Sequence, residues 1–153
     1  MIGVDRVPAK LALARELGAT ATIDAAESPV EAIRELTGGG AEVVVETVGD
    51  EGVLAQAYLA TRRGGTTVTV GLPHPDRFLA IPAVSLAAEE RTLRGSYLGS
   101  SVPRRDIPRL VALHREGRLP VERLLTHRLA PEELNAGFDR LARGEAVRQA
   151  VVF

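Results

Sequence analysis

Asp5 is the residue whose position carries the most chemical meaning. It closes a short apolar run, Ile2-Gly3-Val4, that reads as a buried strand. A carboxylate at the tip of such a strand can accept hydrogen bonds from both hydroxyls of an adenosine ribose, as the acidic residue of a dinucleotide-binding βαβ unit does. The same charge repels a phosphate on that ribose, which favours NAD over NADP. Taken without its neighbours, Asp5 is a solvated turn aspartate. Two later turns, Thr47-Val48 and Val70-Gly71-Leu72, follow consecutive predicted strands at their carboxyl ends, where open α/β sheets bind ligands. Gly71 would allow a close backbone approach there, or serve only as a turn glycine. His74, His114 and His127 do not assemble into a metal site from their spacing. The acidic pairs Glu89-Glu90, Glu132-Glu133 and Asp50-Glu51 read as solvated helix ends. No catalytic residue and no metal ligand is assigned.

The elements that must position these residues alternate from the start. Pro8 opens a helix in which Leu13 and Leu17 stack four apart before Gly18 stops it. A strand over about 19–24 follows. Ser28-Pro29-Val30-Glu31 has the form of a capping box, and the helix it opens carries Val30, Ile33 and Leu36 on one face. Val43-Val44-Val45 reads as a strand buried on both faces, as in a parallel sheet. The next helix carries Val53, Leu54, Ala57 and Tyr58 and is expected to stop at Gly64-Gly65. Strands are predicted over 66–70 and 92–98, with a short helix near 83–90 between them. After Gly99 the rhythm changes: an amphipathic helix over 105–116, a strand over 124–129, a helix with Leu134, Phe138 and Leu141 on one face, and a terminal strand over 148–153. The β-α-β-α-β order implies a parallel sheet with right-handed crossovers. A domain boundary is placed near Leu98.

Composition sets the outer bounds. Of the 153 residues, 45% are hydrophobic and 25% charged, which suits one or two small globular domains. A net charge of -1 gives no electrostatic reason to expect nucleic acid or an anionic membrane as partner. No apolar run is long enough to span a bilayer, and the N-terminus lacks a signal-peptide pattern, so a cytoplasmic location is expected. Zero cysteines exclude disulfides and cysteine-ligated zinc. Lys10 is the only lysine among the 19 basic residues, a bias attributed to codon composition.

An ordered set of short segments then points to a family. They are Ile2-Gly3-Val4-Asp5, Leu17-Gly18-Ala19-Thr20, Thr37-Gly38-Gly39-Gly40-Ala41, Glu46-Thr47-Val48-Gly49, Val68-Thr69-Val70-Gly71-Leu72-Pro73, Arg94-Gly95-Ser96-Tyr97-Leu98-Gly99, Leu125-Thr126-His127 and Gly144-Glu145-Ala146-Val147-Arg148. In this order and spacing the chain resembles the C-terminal portion of a zinc-dependent medium-chain alcohol dehydrogenase, close to the class III branch. The resemblance implies an α/β fold: an incomplete Rossmann-type parallel sheet over 1–98, without its first strand, and the closing segment of the catalytic domain over 99–153.

The resemblance also assigns roles. Lys10 would reach the same ribose as Asp5, and Arg6 would flank the adenine, where its guanidinium plane could stack. Thr47, Val48, Val70, Gly71 and Leu72 would line the adenosine and nicotinamide ribose pockets. Backbone groups at Ser96, Tyr97 and Leu98 would hold the nicotinamide carboxamide, and Arg148 would reach the pyrophosphate with its fork of donors. The segment Phe78 to Pro82 would lie at a dimer edge of the coenzyme domain.

The chain departs from the family pattern in three respects: no G-x-G-x-x-G occurs in it, and the family's zinc ligands and proton relay are absent from it. The expected function is therefore the NAD-binding portion of an oxidoreductase that transfers hydride between an alcohol or aldehyde adduct and NAD, inactive alone and marginally stable without a central strand. Two alternatives stand beside it: a zinc-free quinone reductase-type oxidoreductase, and a non-catalytic dimerisation or nucleotide-binding module. The substrate pocket is not legible.

Overall fold

The computed structural model describes Met1 to Phe153, which divide into two compact units, Met1–Ser101 and Val102–Phe153. The first unit runs β1 (Ile2–Asp5), α1 (Pro8–Glu16), β2 (Ala21–Asp24), α2 (Pro29–Thr37), β3 (Ala41–Glu46), α3 (Glu51–Ala60), β4 (Thr61–Thr69), α4 (Ala83–Ala88) and β5 (Thr92–Gly95). Every strand pairing is parallel, in two ladders: β1 with β2, and β3-β4-β5. The expected alternation of strand and helix is present. β1 and β3 each pair on one side only.

α2 joins the two ladders. Its Val30 and Ile33 are buried with Ile23 of β2 and Ala60 of α3, and Ile2, Ala41 and Leu59 pack against this cluster. Leu36, expected on the same face, is 59% exposed. The predicted capping box does not form. Ser28 lies in the left-handed region (φ 44) and its side chain caps nothing, because a cap serine needs extended backbone for its hydroxyl to reach the first amides. Asp50 does cap α3: its Oδ1 accepts from the amides of Gly52 and Val53, each at 2.9 Å.

Three further strand readings are corrected. Val43 and Val45 are 57% and 56% exposed, so β3 is not buried on both faces. Only the alternate side, with Val44 and Glu46, is covered. α3 ends at Ala60, not at Gly64-Gly65, and β4 begins at once. The cause is Thr61, fully buried, whose hydroxyl donates to the carbonyl of Ala57 (2.9 Å) and meets Thr67 Oγ1 at 2.7 Å. β5 stops at Gly95 instead of Leu98. The last ladder bond is Ser96 N to Thr69 O (2.9 Å), and with β4 ended there is no partner strand beyond it. The chain folds instead into a tight turn over Tyr97–Ser100, with Leu98 (φ 48) and Ser100 (φ 53) held in the left-handed region that costs a non-glycine residue about 1–2 kcal/mol.

The second unit comprises α5 (Pro103–Arg115), β6 (Leu125–Leu129), α6 (Leu134–Ala142) and β7 (Arg148–Val151), with β6 and β7 parallel. The apolar face read on α6 is open: Leu134, Phe138 and Leu141 are 42%, 61% and 50% exposed. The buried position is Gly137, against Leu129, and the contact to β7 is polar. Gln149 donates to the Gly137 carbonyl (2.7 Å) and accepts from Arg140 Nη1 (2.9 Å).

α5 is tied at its start by Asp106, which accepts from the Val102 amide (2.7 Å) and from Arg105 through Nε (2.7 Å) and Nη2 (2.9 Å). The Arg105 guanidinium, then the Val102 amide, hold this carboxyl below the usual aspartate range. Since the folded value is depressed, the stabilisation is complete above the unfolded value of about 3.9 and is lost as pH falls through the folded one. In an NMR titration the Asp106 carboxyl should therefore titrate below an ordinary aspartate, and Arg105→Gln should move its midpoint upward. An unmoved midpoint in the variant would remove Arg105 as the cause.

Candidate functional site

The carboxyl ends of β3, β4 and β5 leave the sheet in register, Glu46 beside Thr69 and Thr69 beside Gly95. The residues that follow each strand therefore emerge along one edge. Val70 N bonds Glu46 O (2.9 Å) and Ser96 N bonds Thr69 O (2.9 Å), so the Thr47, Val70 and Ser96 turns start side by side.

Two of these turns interlock. A Cβ placed on Gly71 would lie 2.1 Å from Gly49 N and 2.5 Å from Gly49 Cα. A Cβ on Gly49 would in turn meet Leu72 N at 2.8 Å, and Gly49 has φ 80. Both glycines are demanded by backbone lying on backbone, closer than any side chain allows. The close approach anticipated at Gly71 is thus one of the protein's own turns.

Beneath them sits Glu46, 3% exposed. Its Oε1 accepts from Val48 N (2.5 Å) and Gly49 N (2.7 Å), and its Oε2 from Thr69 Oγ1 (2.8 Å). A buried carboxylate is tolerated because each oxygen has charge-assisted partners. Those partners fix the Thr47–Gly49 turn to the end of β4. Sequence reasoning gave Glu46 no role. The available signal was an acidic residue ending an apolar run directly before a Thr-Val-Gly turn.

Around this rigid base the edge is apolar and open. Val48, Leu72, Tyr97 and Leu98 are 69%, 73%, 69% and 72% exposed. Large apolar side chains gathered at one sheet edge mark a surface that something covers. Ser96, half-buried, contacts Ser100 Oγ at 3.0 Å through its hydroxyl.

Asp5 ends β1, in the other ladder of the same unit. Its Oδ1 accepts from Val7 N (2.9 Å), an Asx-type turn that orients the carboxylate and leaves Oδ2 outside that bond. Arg6 is exposed beside it, and Lys10 is half-buried in the first turn of α1. The residues predicted for ligand contact thus fall into an Asp5–Lys10 cluster and the β3–β5 edge. Arg148 belongs to the second unit, exposed at the start of β7, with Nη1 donating to the Val147 carbonyl (2.7 Å). No three His, Asp or Glu side chains converge so as to hold a metal ion, and the chain has no cysteine.

The family profile described as zinc-binding dehydrogenase matches residues 1–116. The chain belongs to the zinc-binding dehydrogenase family. Among curated members of that family it is 37% identical to alcohol dehydrogenase 1 of Zea mays, with 97% of this chain and 40% of that protein covered. It is 38% identical to the geraniol dehydrogenase of Castellaniella defragrans, over 99% of this chain and 43% of that protein. Among solved zinc-binding dehydrogenases, a zinc-binding domain protein from Burkholderia ambifaria superposes with a TM-score of 0.92 at 39% identity, covering 98% of this chain and 40% of that one. The benzyl alcohol dehydrogenase of Acinetobacter calcoaceticus gives 0.93 at 31%, covering 98% and 41%. The chain spans about 40% of the length of these relatives and corresponds to their C-terminal portion, with an α/β fold of parallel sheets. No helix of this zinc-binding dehydrogenase chain is long and apolar enough to cross a membrane.

Proposed function

We propose that the chain is the coenzyme-binding portion of an NAD-linked oxidoreductase of the alcohol dehydrogenase type. The observation that carries this reading is the carboxyl edge of β3–β5, where apolar side chains stand open above turns that Glu46 and the Gly49–Gly71 contact hold rigid. The flat adenine and nicotinamide rings of a dinucleotide suit such an apolar edge. When bound, NAD supplies the acceptor for hydride leaving an alcohol carbon. This chain's own residues bind and orient it. Asp5, with Oδ1 fixed by the Val7 amide, accepts from the ribose hydroxyls, flanked by Arg6 and Lys10. Val48, Val70 and Leu72 exclude water from the ribose pockets, and Gly71 admits the turn that shapes them. Backbone groups at Ser96, Tyr97 and Leu98 hold the carboxamide.

Zinc does not fit this chain's residues, which offer no cluster to ligate it. The alcohol or aldehyde substrate would be handled by the intact enzyme. Phe78, 84% exposed at the start of the Phe78–Pro82 segment, is where two copies would pair.

Asp5 gives the test. Asp5→Asn keeps the turn acceptor but removes the charge. NAD titrated into the full chain by calorimetry should bind about tenfold more weakly to the variant, with NADP gaining relative to NAD. Equal NAD affinity in both proteins would remove Asp5 from the site. The absence of saturable NAD binding to the wild type would remove the reading itself.

A further inference from the structure

A concave site lies at the opposite, amino-terminal end of the β3–β4–β5 ladder, far along the strands from the edge assigned to NAD. It is a cavity of about 570 Å³ walled by Arg34 of α2, Arg62 and Arg63 of β4, Arg91 just before β5, and Glu89. Thr37 and the Gly38-Gly39-Gly40 run complete its lining, and the glycines offer no side chain to fill it. Four guanidiniums thus border one space, and two carboxylates answer them.

The state of each guanidinium decides what the space is for. Arg91 is the most constrained, with its side chain 5% exposed. Nη1 donates to the carbonyl of Tyr58 (2.5 Å), Nη2 lies 2.7 Å from Glu89 Oε2, and the guanidinium sits 5.0 Å from the Tyr58 ring centre. Its Nε is buried with no partner. Glu89 Oε2 has the ion contact but no hydrogen bond of good geometry, so this pair is incompletely satisfied. Arg34 donates to the Leu59 carbonyl (2.8 Å), which holds it at the wall. Arg62 is shared between Glu42 (2.9 Å) and the Arg63 carbonyl (3.0 Å). The Arg63 side chain, exposed, makes no hydrogen bond or ion pair.

A guanidinium carries five donors, and a buried cation is costly unless paired and hydrogen-bonded. Here the donors of four arginines, three held in place and Arg63 free, remain in excess over the acceptors that the protein supplies. The C-terminus of α2 contributes only about half a negative charge, which does not balance them. Arginine forks match oxyanions with two or more oxygens, and a cavity of this size admits a phosphorylated small molecule.

We propose that this cavity is a binding site for a phosphate-bearing small anion, separate from the dinucleotide edge. Arg63 and Arg62 capture the anion at the open mouth, and Arg91 and Arg34, held by backbone carbonyls, form the inner wall.

Inorganic pyrophosphate is the probe, titrated into the full chain by calorimetry and by amide NMR. Saturable binding should shift the amides of Gly38, Gly39, Gly40 and Gly64, and leave those of Val48, Gly49 and Gly71 in place. Arg63→Gln and Arg62→Gln, both at exposed positions, should each weaken pyrophosphate about tenfold, and Arg63→Glu more, while NAD affinity stays unchanged. Sulfate should bind more weakly than pyrophosphate, since it brings fewer oxygens and less charge to the four forks. The proposal is overturned by pyrophosphate shifts confined to the Val48–Gly71 edge, by equal affinity for sulfate, or by variants that bind like the wild type.

Discussion

Gly71→Ala should unfold the carboxyl edge of the sheet. The added methyl would stand 2.1 Å from an amide nitrogen and 2.9 Å from the Val48 carbonyl carbon, and neither belongs to a side chain that can rotate away. Overpacking in a well-filled site costs about 1–3 kcal/mol, and the cost rises where backbone must move. A loss of about 3 kcal/mol or more in urea denaturation is therefore expected, alongside a loss of NAD binding greater than about tenfold. Gly95→Ala supplies the comparison, because a Cβ at Gly95, the end of the neighbouring strand, meets nothing within 4 Å. That variant should lose well under about 1 kcal/mol. Similar losses at both positions would mean that the interlock of the turns contributes nothing particular.

Glu46→Ala should be the second large effect, and by a different route. It strips the acceptor from the Val48 and Gly49 amides and from the Thr69 hydroxyl at once. Each donor left unpaired in a buried place costs about 1–3 kcal/mol. Some will recover water through the open edge, so a net loss of about 3 kcal/mol is expected rather than the sum. Glu46→Gln separates charge from geometry. Its amide oxygen can accept from Val48 and Gly49, but its NH2 faces the Thr69 hydroxyl, which can then turn to accept. About 1–1.5 kcal/mol should be lost, and NAD affinity should fall less than in the alanine variant. If both variants denature like the wild type, the turn is held by the glycine contact alone.

How far the sequence disclosed this depends on the range over which each feature is decided. The alternation of strands and helices is written in local punctuation: Pro8 and Pro29 at helix starts, Gly38 at the end of α2, β-branched runs between them. The resemblance carried by eight short segments led to the family that residues 1–116 match. Local reading failed where a tertiary contact overrode it. Thr61 ended α3 early because its hydroxyl is held in the interior by the Ala57 carbonyl and the buried Thr67 hydroxyl. The valines of β3 looked doubly buried, yet their outer face has no covering element. The stripe on α6 looked like a core face, but Gly137 and the Gln149 bonds won the contact with the strands.

The candidate site was half visible for the same reason. The strand-end turns follow from the order of elements, so Asp5, Thr47 and Val70 could be marked in advance, whereas Ser96 is marked only through the resemblance, inside a strand expected to run to Leu98. Glu46 could not be given a role, because its three partners come from a turn and from a strand 23 positions away. The arginine cavity was equally hidden, drawing Arg34, Arg62 and Arg91 from separate elements.

The contact between Gly49 and Gly71 also bears on how this sequence can drift. Because the Gly49 backbone occupies the volume where a Gly71 side chain would begin, and the Leu72 backbone the volume where a Gly49 side chain would begin, neither position can accept a larger residue while the facing turn stays put. The two behave as a single heritable character. Libraries that randomise either turn alone will return glycine at that position, whereas a change at both becomes accessible only when the Glu46 anchor is redrawn with them.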